Sequence, residues 1–81
     1  GAYLDVQRAI IDEGWKLIAY PGAPKLLLYH LAEDPEEMRD LADDPAHAGK
    51  VRELFAKLQK LQVKMDDELD LSSAFPEWVA N

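Results

Sequence analysis

The sequence predicts an α+β fold: a small antiparallel β-sheet of three to four strands, packed by one long C-terminal amphipathic helix. Three observations predict it. Three short runs with period-two alternation fill the first third of the chain, each ended by Gly or Pro. A strong helix-start signal follows at Asp44-Pro45. Beyond it, apolar residues recur at spacings of three and four up to Met65.

The first strand is expected over residues 3–11, where apolar and β-branched side chains are interleaved with Asp5 and Gln7. Asp12-Glu13-Gly14 reads as a hairpin turn, because Gly14 takes positive φ at no steric cost. The second strand covers residues 15–20. Trp15, Leu17 and Ala19 share one face; Lys16, Ile18 and Tyr20 share the other. Pro21-Gly22-Ala23-Pro24 breaks the ladder, since neither proline has an N–H to donate. A third strand over residues 25–31 puts Leu26, Leu28 and His30 on one face and Leu27, Tyr29 and Leu31 on the other. Both faces are apolar, yet one helix covers only one of them. The second face is therefore surplus, and a chain exposing it should self-associate.

Asp34-Pro35-Glu36-Glu37 carries a capping-box pattern: an acceptor at Asp34, Pro at the first helical position, and Glu37 placed to reach back. It predicts a turn or two of helix, cut short at Asp43-Asp44-Pro45. Asp44-Pro45 repeats the signal and opens the long helix, whose predicted stripe is Val51, Leu54, Leu58, Leu61 and Met65 with Phe55 beside it. The helix should end between Met65 and Leu69, where acids oppose the C-terminal dipole. Residues 71–81 form a tail with two apolar anchors, Phe75 and Trp78.

The 81 residues allow a single small domain. Nine Lys+Arg stand against 16 Asp+Glu, a formal net charge of −7, which argues against nucleic acid as a partner. The charge is segregated. Residues 33–44 hold seven acids opposed by Arg39 alone, and residues 45–65 are basic. Residues 66–81 hold five acids and no base. With no Cys, a disulfide scaffold, a zinc finger and a thiol nucleophile are all excluded for this chain. No run approaches the roughly 20 apolar residues of a membrane span. Gly1, in place of Met, is the expected mark of a processed, tagged or truncated start.

Catalytic patterns are missing. His30 and His47 lack a second ligand at metal spacing. Ser72-Ser73 has no base nearby in sequence, and the four glycines are too scattered for a phosphate loop. Asp43-Asp44 and Asp66-Asp67-x-x-Asp70 do not match a calcium loop.

Four blocks in order are more specific. Trp15-Lys16-Leu17-Ile18 follows a tight turn, and Leu28-Tyr29-His30-Leu31 follows on the next strand. Asp34-Pro35-Glu36-Glu37 comes next, then Asp40-Leu41-Ala42 ahead of Asp44-Pro45. Over about residues 3–70 this resembles the C-terminal subdomain of the sulfatases, in the alkaline-phosphatase-like superfamily. The family pattern reads W/Y-K-L-I, L-Y-D-L, D-P-x-E and N-L-A, then D-P and a closing helix. His30 stands where Asp is usual, and Asp40 where Asn is usual. Trp15, Lys16, Tyr29, Leu31, Asp34, Pro35, Glu37 and Leu41 carry the match and are structural residues.

The resemblance implies a parent enzyme that hydrolyses sulfate esters. Its nucleophile would be a formylglycine made from Cys or Ser in a C/S-x-P-x-R motif, beside a divalent cation (Ca or Mg). Both would lie in a large domain absent from this chain, because neither Ser72 nor Ser73 has Pro two residues on. No catalytic, cofactor or metal residue is therefore expected here. The expected partner is that catalytic domain, with self-association of the fragment and no nucleic acid or membrane span. His30, Lys16 and the loop of Pro21 and Pro24 are candidates for a substrate rim. The family occurs in periplasmic, secreted, lysosomal and some bacterial cytoplasmic settings. The competing expectation is a free-standing α+β interaction module.

Overall fold

A computed structural model describes residues 6–79. Strands β1 (Arg8–Asp12), β2 (Trp15–Tyr20) and β3 (Lys25–His30) form an antiparallel sheet in the order β1-β2-β3. A 3-10 turn at Pro45–His47 runs into helix α1 (Ala48–Lys64), and a second 3-10 turn spans Pro76–Trp78. The fold is a three-stranded α+β domain, as the sequence predicts.

The first strand is shorter than expected. Of the predicted run, residues 3–5 lie outside the described residues, and Val6 and Gln7 carry no ladder. Asp12 pairs with Trp15, so the β1–β2 loop has two residues. Glu13 and Gly14 both have positive φ (47° and 83°), the backbone a type I′ hairpin needs. The third strand stops at His30, one residue early, because Glu33 and Asp34 both turn their N–H groups onto the His30 carbonyl.

Register fixes the faces. Leu17 pairs with Ile10 on one side and Leu28 on the other, and Ala19 pairs with Leu26. These side chains meet Val51, Leu54, Phe55 and Leu58 of α1 in one core. Leu71 and Phe75 close that core from the C-terminal segment, at 1% and 2% exposure. The segment is thus part of the core rather than a tail. Phe75 meets Phe55 edge-on at 5.9 Å, and Trp78, half-buried, lies beneath the Arg52 guanidinium.

Asp44 caps the 3-10 turn that leads into α1, accepting from the Ala46 N–H at 3.0 Å with Pro45 next in line, while α1 itself starts after His47 without a side-chain cap. At the far end the buried stripe turns to Gln62, leaving Leu61 and Met65 exposed where the spacing places them inside. The reason is local chemistry. The Asp66 N–H bonds the Val63 carbonyl, the Asp67 N–H bonds the Gln62 carbonyl, and Asp66 takes φ 55°. This is a Schellman cap with Asp in place of glycine. Gln62 is buried because its amide donates to Asp67 Oδ2 and to the Leu69 carbonyl.

The Asp34 capping box does not form. Residues 34–44 contain no helix. The Asp34 carboxylate instead spans the loop, accepting from the N–H groups of Met38 and Arg39. Glu37 takes φ 56° and points away from Asp34.

Candidate functional site

Two features stand out for function: the loop that follows β3, and the sheet face turned away from the helix.

The loop is wired to the sheet by the residues of the four blocks. Glu37 Oε2 accepts from Lys16 Nζ at 2.8 Å, joining the third block to the first. Asp40 Oδ1 accepts from the N–H of Leu28 and of Ala42, both at 2.9 Å. The Leu41 N–H donates to the Leu28 carbonyl at 2.8 Å, and Leu41 packs against the core. The loop thus supplies β3 with the donor and acceptor that a fourth strand would have given. Two backbone N–H groups hold the Asp34 carboxyl below the usual carboxylate range. Tyr29, across the sheet from Lys16, is pushed upward by desolvation first and by Asp40 and Glu37 next.

At the end of β3 the loop encloses a polar pocket of about 310 Å³, lined by His30, Glu33, Asp34, Arg39, Leu41 and His47. Both lining imidazoles meet one indole: Trp15 stacks on His30 at 4.1 Å, with 11° between the planes, and meets His47 at 5.7 Å. Lys50 Nζ sits 5.5 Å from the Trp15 ring. Each imidazole has a carboxylate three residues away: His30 Nδ1 lies 3.4 Å from Glu33, and His47 Nδ1 lies 3.3 Å from Asp44. The His47 contact lacks hydrogen-bond geometry, so its buried Nδ1 is left unpaired. Asp44 is held low mainly by the Ala46 N–H. The pocket offers two imidazoles, two carboxylates and one guanidinium, and no hydroxyl or thiol side chain lines it.

The rim candidates do not converge. His30 faces the helix side, and Lys16 faces the opposite side of the sheet, paired to Glu37. Pro21 and Pro24 flank the loop before β3, while His30 ends that strand. Sequence reasoning missed His47 and Arg39 as neighbours of His30, because nothing in their spacing marks the contact. Of the remaining block residues, Leu31 is half-buried and Pro35 is exposed.

The serines are held by neighbours: Ser72 Oγ accepts from Gln59, and Ser73 Oγ donates to Asp70. These residues do not fit a formylglycine centre. Among the described residues no group of three His, Asp or Glu is set to hold a metal ion. Within the acidic pairs, Asp44 and Asp67 have structural partners. Asp67 binds Arg8, the Leu69 N–H and Gln62, which together hold it far below the usual carboxylate range. Among the described residues no helix is long and apolar enough to cross a membrane.

The outer sheet face carries Ala9, Ile11, Lys16, Ile18, Tyr20, Lys25, Leu27 and Tyr29. Ile18 at its centre is 8% exposed, but Ile11 is 64% exposed, and no second layer lies over them among the described residues. No family model matches the chain, and no solved structure matches it.

Proposed function

We propose that this chain is a non-catalytic C-terminal subdomain of a sulfatase-like hydrolase of sulfate esters. Its outer sheet face packs on a catalytic domain that lies outside these 81 residues. The observation that carries this reading is the uncovered face itself: Ile11 is open and Leu27 and Tyr29 are half-buried around Ile18, with no layer over them among the described residues. A face of that kind calls for a partner. The resemblance names which partner. It is supported by the way Lys16, Glu37, Asp40 and Leu41 join the four blocks into one loop–sheet unit. The His30 pocket lies on the helix side of the sheet and carries the carboxylates of Glu33 and Asp34 beside Arg39 and His47, so it stands apart from that docking face and from an anionic ester.

The test begins with the reading frame upstream of Gly1. The reading requires a C/S-x-P-x-R motif with acidic metal ligands there. The longer protein should then hydrolyse a chromogenic aryl sulfate, and the 81-residue chain should not. The longer protein lacking these residues should bind the 81-residue chain, and Ile18→Lys should abolish that binding. A frame without the motif would favour a free-standing interaction module using the same face.

A further inference from the structure

The two outer edges of the sheet are finished differently. On β3, Asp40 and Leu41 occupy the N–H and carbonyl of Leu28. On β1, no described segment pairs with the free side. A bare edge is a template for another strand. Beside it runs an apolar groove of about 320 Å³ lined by Arg8, Ala9, Leu58, Leu61, Gln62 and Met65, among others. Two exposed apolar residues, Leu61 (38%) and Met65 (69%), line this groove, and Ile11 (64%) stands exposed on the outer face of the same edge strand.

The sequence of β1 states what fits that edge. Arg8-Ala9-Ile10-Ile11-Asp12 is self-complementary when paired antiparallel about Ile10. Ile10 then meets its own copy, Ala9 meets Ile11 on the outer face, and Arg8 meets Asp12 on the helix side. Directly opposed opposite charges stabilise such a pairing, and like charges would oppose it. The end residues are already poised. Within one copy Asp12 is bonded to Lys57 at 2.6 Å, and Arg8 to Asp67 at 2.6 Å. Pairing two copies lines up Lys57, Asp12, then Arg8 and Asp67 of the second copy, with charges that alternate in sign. The two-fold axis writes the same row twice.

We infer that the β1 edge is a dimer interface. A second copy of this chain pairs its β1 antiparallel about Ile10, making one continuous sheet from the two three-stranded ones and covering the Leu61–Met65 groove. The interface runs along the β1 edge, shares only Ala9 and Ile11 with the outer face, and does not rest on the assignment of that face to a catalytic domain.

The chain has no cysteine, so placed thiols report register directly. Ala9→Cys and Ile11→Cys are both at exposed positions and leave the core intact. In the inferred register residue 9 faces residue 11, so an oxidised mixture of the two variants should give abundant disulfide dimer. Either variant alone should give little, because its thiols sit beyond the roughly 7 Å Cα separation a disulfide can bridge. Sedimentation equilibrium from about 10 to about 500 µM should show wild-type dimer, and Ile11→Lys should shift it toward monomer with an unchanged circular dichroism spectrum. A wild-type monomer throughout that range overturns the inference. So does cross-linking of either single variant as strong as that of the mixture.

Discussion

The two faces of this sheet are built from similar residues and end in different conditions. On the helix side Leu17, Ala19 and Leu28 are fully buried under Val51, Leu54 and Phe55. On the other side Ile18 is nearly buried by its own strand neighbours, while Leu27 and Tyr29 are half-buried and Ile11 is open. Alternation in a strand therefore says which side chains share a face, and it does not say whether anything covers them. The covering layer comes from elsewhere: here α1 and residues 71–75 on one side, and, in the proposed reading, a partner on the other.

Mutations can break this contrast. Leu28→Ala should cost about 2–5 kcal/mol in urea denaturation, the range for emptying a filled core site. Leu27→Ala, one residue along and on the open face, should cost under about 1 kcal/mol, as surface changes do. Equal losses would mean the outer face is already covered in the isolated chain. Asp40→Ala should cost about 1–3 kcal/mol, because it strips the acceptor from the Leu28 N–H at the edge of the covered layer. Asp40→Asn keeps Oδ1 and should be close to neutral. The same pair of variants tests whether the loop substitutes for a fourth strand.

Acid should act on the helix side and the loop. Asp67, Asp34, Asp44 and Asp70 are all held below their ordinary values, by Arg8, by the Met38 N–H, by the Ala46 N–H and by Ser73 respectively. A depressed carboxyl contributes stability that is fully present above its unfolded value and is lost as pH falls through its folded one. The melting temperature should stay level on the carboxyls' account above about pH 5 and drop below about pH 4. Asp67→Asn should lower stability at neutral pH and flatten that acid limb; an unchanged limb would remove Asp67 from the account. The smallest effect belongs to Lys16→Met, which breaks the bond to Glu37. Ion pairs at such partly exposed sites contribute about 0.2–1 kcal/mol.

What can be read in the sequence is what is local. The two-residue turn at Glu13-Gly14 and the Asp44-Pro45 cap depend on neighbours a few residues away, and both form. Asp34-Pro35-Glu36-Glu37 offers the same local signal as Asp44-Pro45 and folds otherwise. Its outcome is decided by Lys16, 21 residues from Glu37, and by Leu28, 12 residues from Asp40. Gln62 displaces Met65 from the buried stripe because Asp67 and Leu69 receive its amide, a partnership no apolar spacing encodes. The pocket is half legible. His30 is visible as an exception within a block, but His47 reaches Trp15 only once α1 docks.

The strand order bears on how the chain reaches this state. Sequential hairpins need only short loops, and α1 forms from neighbours along the chain, so most structure can form quickly from local contacts. The Arg8–Asp67 bond is different: it closes a span of 59 residues. Such a closure carries the largest entropic cost and comes late. Arg8→Ala should therefore leave the folding rate nearly unchanged and accelerate unfolding, making this bond a latch on the lifetime of the native state rather than part of its nucleus.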